Sequence, residues 1–218
     1  MKAVIDFLSA LSVNNNREWF TANKPQYEAA KAETEALVGN IIPGIAKFDE
    51  TVKFTAAKDC MFRIFRDVRF SKDKAPYKVN MGAWISRKGR KSSGPGYYIH
   101  IQPGESFLAA GVYMPDPQQL KQIRTEIFYN AAEFRSILES KEMRKYCTGL
   151  LEMDKTKSAP RDFPRDFPDI DLLKYKHYTV SYPLKDADVL SEKFPELALK
   201  AFRAMHPLNV FLGRALES

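Results

Sequence analysis

Residues 58–91 hold eleven Lys or Arg against three Asp, an excess larger than the +7 of the whole 218-residue chain. At the centre of this window runs Arg63-Ile64-Phe65-Arg66-Asp67-Val68-Arg69-Phe70-Ser71-Lys72-Asp73-Lys74-Ala75-Pro76-Tyr77-Lys78. Cationic groups at this density require counter-charge, and the chemistry they suit is the holding of an anion. Arginine offers a planar fork that matches phosphate or carboxylate; lysine offers a point charge. Ser71 and Asp73 bring turn chemistry, so free backbone amides can add to an oxyanion nest.

Arg63, Arg66, Arg69, Lys74 and Lys78 are therefore the candidate ligands of a phosphate- or carboxylate-bearing small molecule. Tyr77 and Tyr98 are candidate walls of the pocket, and Arg17 and Trp19 candidates to close it. Asp67 and His100 are the groups that would move protons if the bound molecule reacts. His100 follows Tyr98 by two residues, so on a strand the two share a face, turned either into a pocket or toward solvent. A competing reading pairs the arginines with Asp67 in an internal network that pins a loop and binds nothing. Whether the segment belongs to an enzyme is open at this level.

An alternative from a different class is a nucleic-acid-binding module. Lys72, Lys74, Lys78, Arg87, Lys88, Arg90 and Lys91 would track phosphates, with Tyr97 or Trp84 stacking on bases. Arginines set among Met61, Phe62, Ile64 and Phe65 favour a sheltered pocket over an open stripe. The segment 87–91 reads as a solvated, mobile loop tip.

Other chemistries lack their signatures. His100, His177 and His206 share no i, i+4 spacing, so no metal site is expected. No phosphate loop, dinucleotide fingerprint or Gly-x-Ser-x-Gly elbow appears, and no cofactor is expected. Cys60 and Cys147 read as buried free thiols of a reducing compartment. Asp6 interrupts the apolar start Val4-Ile5-Asp6-Phe7-Leu8, which argues against a signal peptide. No run approaches the ~18 apolar residues of a membrane span. The expectation is a cytoplasmic protein with no membrane partner.

The elements that must position the basic segment follow from hydrophobic period. Val4, Phe7, Leu8 and Leu11 predict a helix. Asn14-Asn15-Asn16 predicts a turn and an N-cap for the residues after it. Pro25 begins a further helix that Pro43-Gly44 bends or ends. From residue 60 the period falls to two. Cys60–Phe65, Val79–Arg87, Tyr97–Gln102 and Phe107–Tyr113 read as strands joined by short connections, hence as an antiparallel meander. Lys176–Pro183 reads as a last strand. Helices are predicted after Pro117 and around Phe134, and two more close the chain, the second starting near Pro207. Aromatics between the prolines of residues 154–169 suggest an ordered loop packed onto the protein. The fold class is α+β: an antiparallel meander of four to five strands packed by N-terminal and C-terminal helices. A single domain over 1–218 is expected, with N-terminal helices in 1–50, a sheet core in 58–114, and C-terminal helices and a loop in 115–218.

The chain resembles the family catalogued as domain of unknown function 2461. The resemblance is carried by Asn14-Asn15-Asn16-Arg17-Glu18-Trp19-Phe20 with Asn23-Lys24-x-x-Tyr27. It continues in Arg63-x-x-Arg66-Asp67-Val68-Arg69-Phe70-Ser71-x-Asp73-Lys74-x-Pro76-Tyr77-Lys78, then Gly96-Tyr97-Tyr98-x-His100, Gly111 with Pro115, and Pro207. It departs at Asp162, where the family pattern has glycine. The resemblance implies a stand-alone cytosolic domain and carries over no catalytic residues.

Overall fold

The computed structural model describes residues 1–217. The described elements run α1 (Lys2–Val13), α2 (Arg17–Ala22), α3 (Lys24–Ile45), α4 (Ala57–Cys60), β1 (Met81–Ile85), β2 (Gly96–Ile101) and β3 (Phe107–Val112). They continue with α5 (Pro117–Tyr129), α6 (Ala131–Glu139), α7 (Lys141–Arg144), α8 (Ile170–Leu173), β4 (Tyr178–Pro183), α9 (Asp186–Leu190) and α10 (Phe194–Glu217). The four strands form one antiparallel sheet in the order β1-β2-β3-β4, so the expected α+β meander is the fold.

Period decides which face of β2 is buried, while β1 and β3 are buried over most of both faces. Met81, Ala83 and Ile85, then Tyr97, Ile99 and Ile101, then Leu108, Ala110 and Val112 are buried. Trp84, Tyr98, His100, Gln102 and Phe107 alternate with them and are half-exposed. The chain divides into two compact units. The first comprises Met1–Arg90, Tyr98–Leu108 and Pro183–Leu199; the second comprises Lys91–Tyr97, Ala109–Tyr182 and the chain from Lys200 onward.

In the first unit α1 packs on α3 through Val4, Phe7, Leu8 and Leu11, the residues whose spacing predicts the helix. The three asparagines divide their labour. Asn14 Nδ2 bonds the Ala10 carbonyl at 2.9 Å and closes α1, while the Asn16 side chain accepts from Trp19 N–H and caps α2. Asn15 reaches across the fold to the backbone of Tyr77, accepting its N–H at 3.1 Å and donating to its carbonyl at 2.9 Å. α3 starts with Pro25 in its first turn and continues through Pro43 to Ile45. It lies against β1, with the Thr34 hydroxyl 3.1 Å from Met81 Sδ.

In the second unit Tyr97 packs on Phe202 with ring centroids 5.2 Å apart, and Phe134 on Phe211 at 4.9 Å. Asp116 and Gln119 form a capping box at the start of α5. The proline-rich loop is tied down by Phe163 and Phe167, whose rings sit 5.6 and 4.8 Å from Phe128. β3 approaches β4 so closely at Gly111 (φ +127°) that a Cβ there would lie 2.0 Å from the Tyr178 carbonyl oxygen. No described helix is long and apolar enough to cross a membrane.

Two sequence expectations need correction. Pro207 does not begin a helix; it lies inside α10. Buried Phe202, Met205, Leu208, Phe211 and Leu212 continue the apolar stripe on both sides of it, and packing outweighs one missing rung of the ladder. Cys60–Phe65 is not a strand. Cys60 ends α4, and the residues after it make only the isolated antiparallel bridges Met61↔Ala83 and Phe65↔Tyr77. Between those bridges four residues advance on one side and six on the other, so regular pairing is interrupted by a bulge around Lys78–Asn80.

Candidate functional site

That interrupted pairing builds a cavity of about 400 Å3 within the first unit. The extended segment is held by backbone bonds from Phe62 N–H to Gly82, Lys78 N–H to Ile64 and Arg66 N–H to Pro76. The ladder positions are satisfied at both ends, so the bulge turns Lys78 and Asn80 into the gap. α3 contributes Tyr27 and Lys31, one turn apart and therefore on one face. α4 contributes Lys58, and the segment after it contributes Met61, Phe62, Arg63 and Ile64.

Arg90 completes the wall, while the charged side chains of the tip, Arg87, Lys88, Arg90 and Lys91, are exposed as expected. Gly89 has φ +55° and approaches the Asp59 carbonyl so closely that a Cβ would stand 2.5 Å from its oxygen. A side chain at this position would hold the loop away. Arg90 Nη1 then donates to the carbonyls of Lys58, Asp59 and Met61 at 3.3, 3.4 and 3.2 Å. These are end groups of α4 that the helix itself leaves unpaired.

Five cationic side chains, Lys31, Lys58, Arg63, Lys78 and Arg90, line the cavity, and no Asp or Glu does. Lys31 lies 4.0 Å from Glu28, at the limit of an ion pair. Among the described residues Lys58, Arg63, Lys78 and Arg90 have no carboxylate within ion-pair distance. Lys78 Nζ stands 5.6 Å from the centroid of the Phe62 ring. Burial, and then the like charge of Arg63, hold the Lys78 ammonium below the ordinary lysine range.

The basic motif therefore splits in two. Arg63 and Lys78 face the cavity. Arg66 pairs with Asp73 and reaches Ser71 Oγ at 3.4 Å. Arg69 forms a two-pronged pair with Asp67, Nε to Oδ1 at 3.0 Å and Nη2 to Oδ2 at 2.6 Å. Lys74 Nζ caps the Val68 carbonyl at 3.1 Å, and Asp73 accepts from Ala75 N–H at 2.9 Å. Both arginines of 66–75 are paired with aspartates, as the network reading expects, while Lys72 and Lys74 keep their charge without a carboxylate partner among the described residues. Asp67 is fixed by Arg69, which with Arg63 holds its carboxyl below the usual range.

The remaining candidates sit elsewhere. Tyr77 does not line the cavity; its ring stacks on Phe20 with centroids 3.9 Å apart and planes 12° apart. Trp19 lines a separate, mostly apolar hollow of about 280 Å3 with Phe7 and Ala10. Tyr98 and His100 do share a strand face: Tyr98 Oη lies 3.1 Å from His100 Nδ1, and His100 Nε2 lies 3.1 Å from Gln102 Oε1. Both ring nitrogens are engaged, the ring stacks on Phe107 at 4.5 Å, and burial lowers the imidazole's proton affinity. Tyr97, one stacking candidate of the nucleic-acid reading, is wholly buried with Oη 2.8 Å from His206 Nδ1.

Sequence reasoning missed Tyr27, Lys31, Asn80 and the structural use of Arg90. The i, i+4 spacing of Tyr27 and Lys31 was a legible signal; nothing local pointed to Asn80 or to the landing of Arg90 on α4. Among the described residues no group of three or more His, Cys, Asp or Glu stands placed to hold a metal ion. Cys60 and Cys147 are buried free thiols, and burial pushes them up to about 11 and about 12.

Fold and cavity together define a class: an α+β protein with a bulged strand pairing that gathers unpaired cations. The chain belongs to the family described as conserved hypothetical protein (DUF2461), whose model matches residues 3–211. No curated protein and no solved structure matched the chain.

Proposed function

We propose that the cavity binds a small molecule bearing a phosphate or carboxylate group. One observation carries this reading: five cations line one cavity of about 400 Å3 with no carboxylate among them. Lys58, Arg63, Lys78 and Arg90 have no carboxylate partner among the described residues, so their like charges repel each other, and an anion turns that repulsion into attraction. The cavity lies in the ~300–1,000 Å3 range of small-molecule sites, and Met61, Phe62, Ile64 and Met81 give it an apolar lining for an organic body. Arg63 supplies a free fork, Lys78 and Lys58 point charges, and Arg90 the remainder of a guanidinium anchored on carbonyls. Arg66, Arg69 and Lys74 hold the adjoining loop in shape, and Tyr77 anchors the segment that carries Lys78.

A thermal-shift series with phosphorylated and carboxylated metabolites tests the reading. A ligand at a hundredfold excess over its Kd adds about 2.7 kcal/mol, roughly 5–10 °C for a chain of this size. Arg63→Met should cut the shift to about half or less. Absence of a shift with every anion class would remove the proposal. Binding to single-stranded DNA that weakens by orders of magnitude between about 50 and 200 mM salt would favour the nucleic-acid reading instead.

A further inference from the structure

The cavity's neutral groups narrow the ligand class, and this inference rests on the anion reading above. Phe62 lines the basic cavity yet leaves 41% of its surface exposed. Its ring does not stand alone. It meets Tyr98 edge-on at 6.1 Å, and Tyr98 is 6.4 Å from Trp84 and 5.7 Å from Phe107. An aromatic shelf of the first unit therefore runs from the half-exposed strand face to the rim of the cavity. The Tyr98 hydroxyl rests above Gly82, where a Cβ would lie 2.6 Å from it, so the ring lies low over β1.

Asn80 supplies the third component. The bulge turns it into the same cavity, and its amide has no hydrogen-bond partner among the described residues. An amide offers a donor and an acceptor side by side, the pattern that reads the edge of a nucleobase. A guanidinium fork, an exposed ring and an unpaired amide in one cavity match a phosphate, a flat aromatic base and that base's polar edge.

We infer that the ligand is a nucleoside phosphate, with its phosphate between Arg63 and Lys78, its base stacked on Phe62 and the base edge bonded to Asn80. The cavity is larger than inorganic phosphate requires. Stacking on one ring is tolerant of base identity, so Asn80 is the group that discriminates.

The test is calorimetric titration of the full chain with AMP, ribose 5-phosphate, inorganic phosphate and adenosine. AMP should bind about tenfold more tightly than ribose 5-phosphate, the increment of one base stacked on one ring. Adenosine should bind far more weakly than AMP. Phe62→Leu keeps an apolar side chain at a half-exposed position and should narrow the preference for AMP over ribose 5-phosphate several-fold; an unchanged ratio would overturn the stacking on Phe62. Equal affinities for AMP and ribose 5-phosphate in the native protein would overturn the nucleotide assignment and leave the anion reading intact. Failure of all the phosphates to bind, with other anions equally inert, would sink both. Tight binding of a single-stranded oligonucleotide without binding of AMP would also overturn it.

Discussion

Arg63 and Arg66 stand three residues apart in one motif, and the structure assigns them opposite roles. Replacing each by Met removes the charge and keeps an unbranched side chain. Arg63 has no ion pair to lose, so Arg63→Met should leave the free protein's stability within about 0.5 kcal/mol of native. It removes a charge-assisted hydrogen bond to the ligand, worth about 1.5–3 kcal/mol, so affinity should fall roughly 10- to 150-fold. Arg66, 27% exposed by side chain, pairs with Asp73, which is 64% exposed and open to solvent. Such pairs contribute about 0–1 kcal/mol, so Arg66→Met should cost less than about 1 kcal/mol and change affinity by no more than about threefold. Urea denaturation of the free proteins and calorimetric titration with the same anion read the two quantities separately. The reasoning fails if Arg66→Met abolishes binding while Arg63→Met retains it, because the loop at 66–75 would then be the site.

Other perturbations follow from the same geometry. Asn15→Ala strands the N–H and carbonyl of Tyr77 and should cost about 2–4 kcal/mol by urea denaturation; a loss below about 0.5 kcal/mol would show that water replaces the amide fully. Gly89→Ala forces a strained backbone and a clash with Asp59, so it should cost about 1–3 kcal/mol and weaken anion binding by displacing Arg90; unchanged affinity would place Arg90 outside the site. Lys78 titrates below its ordinary value of 10.5 in the folded chain. The unfolded chain therefore binds more protons between the two values, and Lys78 makes stability rise with pH through that interval. Lys78→Met should remove this rise, so parallel stability profiles of native protein and variant as the pH climbs toward 10.5 would refute the shift. Cys60 and Cys147, pushed up to about 11 and about 12, should react with a thiol reagent at pH 8 far more slowly than in the unfolded chain, and fast labelling of either would contradict their burial.

Much of the fold was legible in local pattern because local forces decide it. The spacing of Val4, Phe7, Leu8 and Leu11 and the alternation along β2 each bury one face whatever the rest of the chain does, and the asparagine cap and Pro25 set helix starts locally. The two errors of element assignment have one cause. Cys60–Phe65 and the stretch before Pro207 were judged by residues within a few positions. The first is held by two bridges of unequal spacing, and the second is carried through by apolar residues beyond the proline.

The sequence by itself determined that positive charge would collect in one segment, that Arg63 and Lys78 would be among its members, and that an α+β meander would carry it. Which arginines stay unpaired was settled only in three dimensions. Asp67 and Asp73 lie within reach of several cations along the chain, and the turn at 67–75 gives them to Arg69 and Arg66. Tyr27, Lys31 and Arg90 reach the cavity from segments distant in sequence. A charge's free energy depends on which groups surround it in space, and chain order does not specify those neighbours.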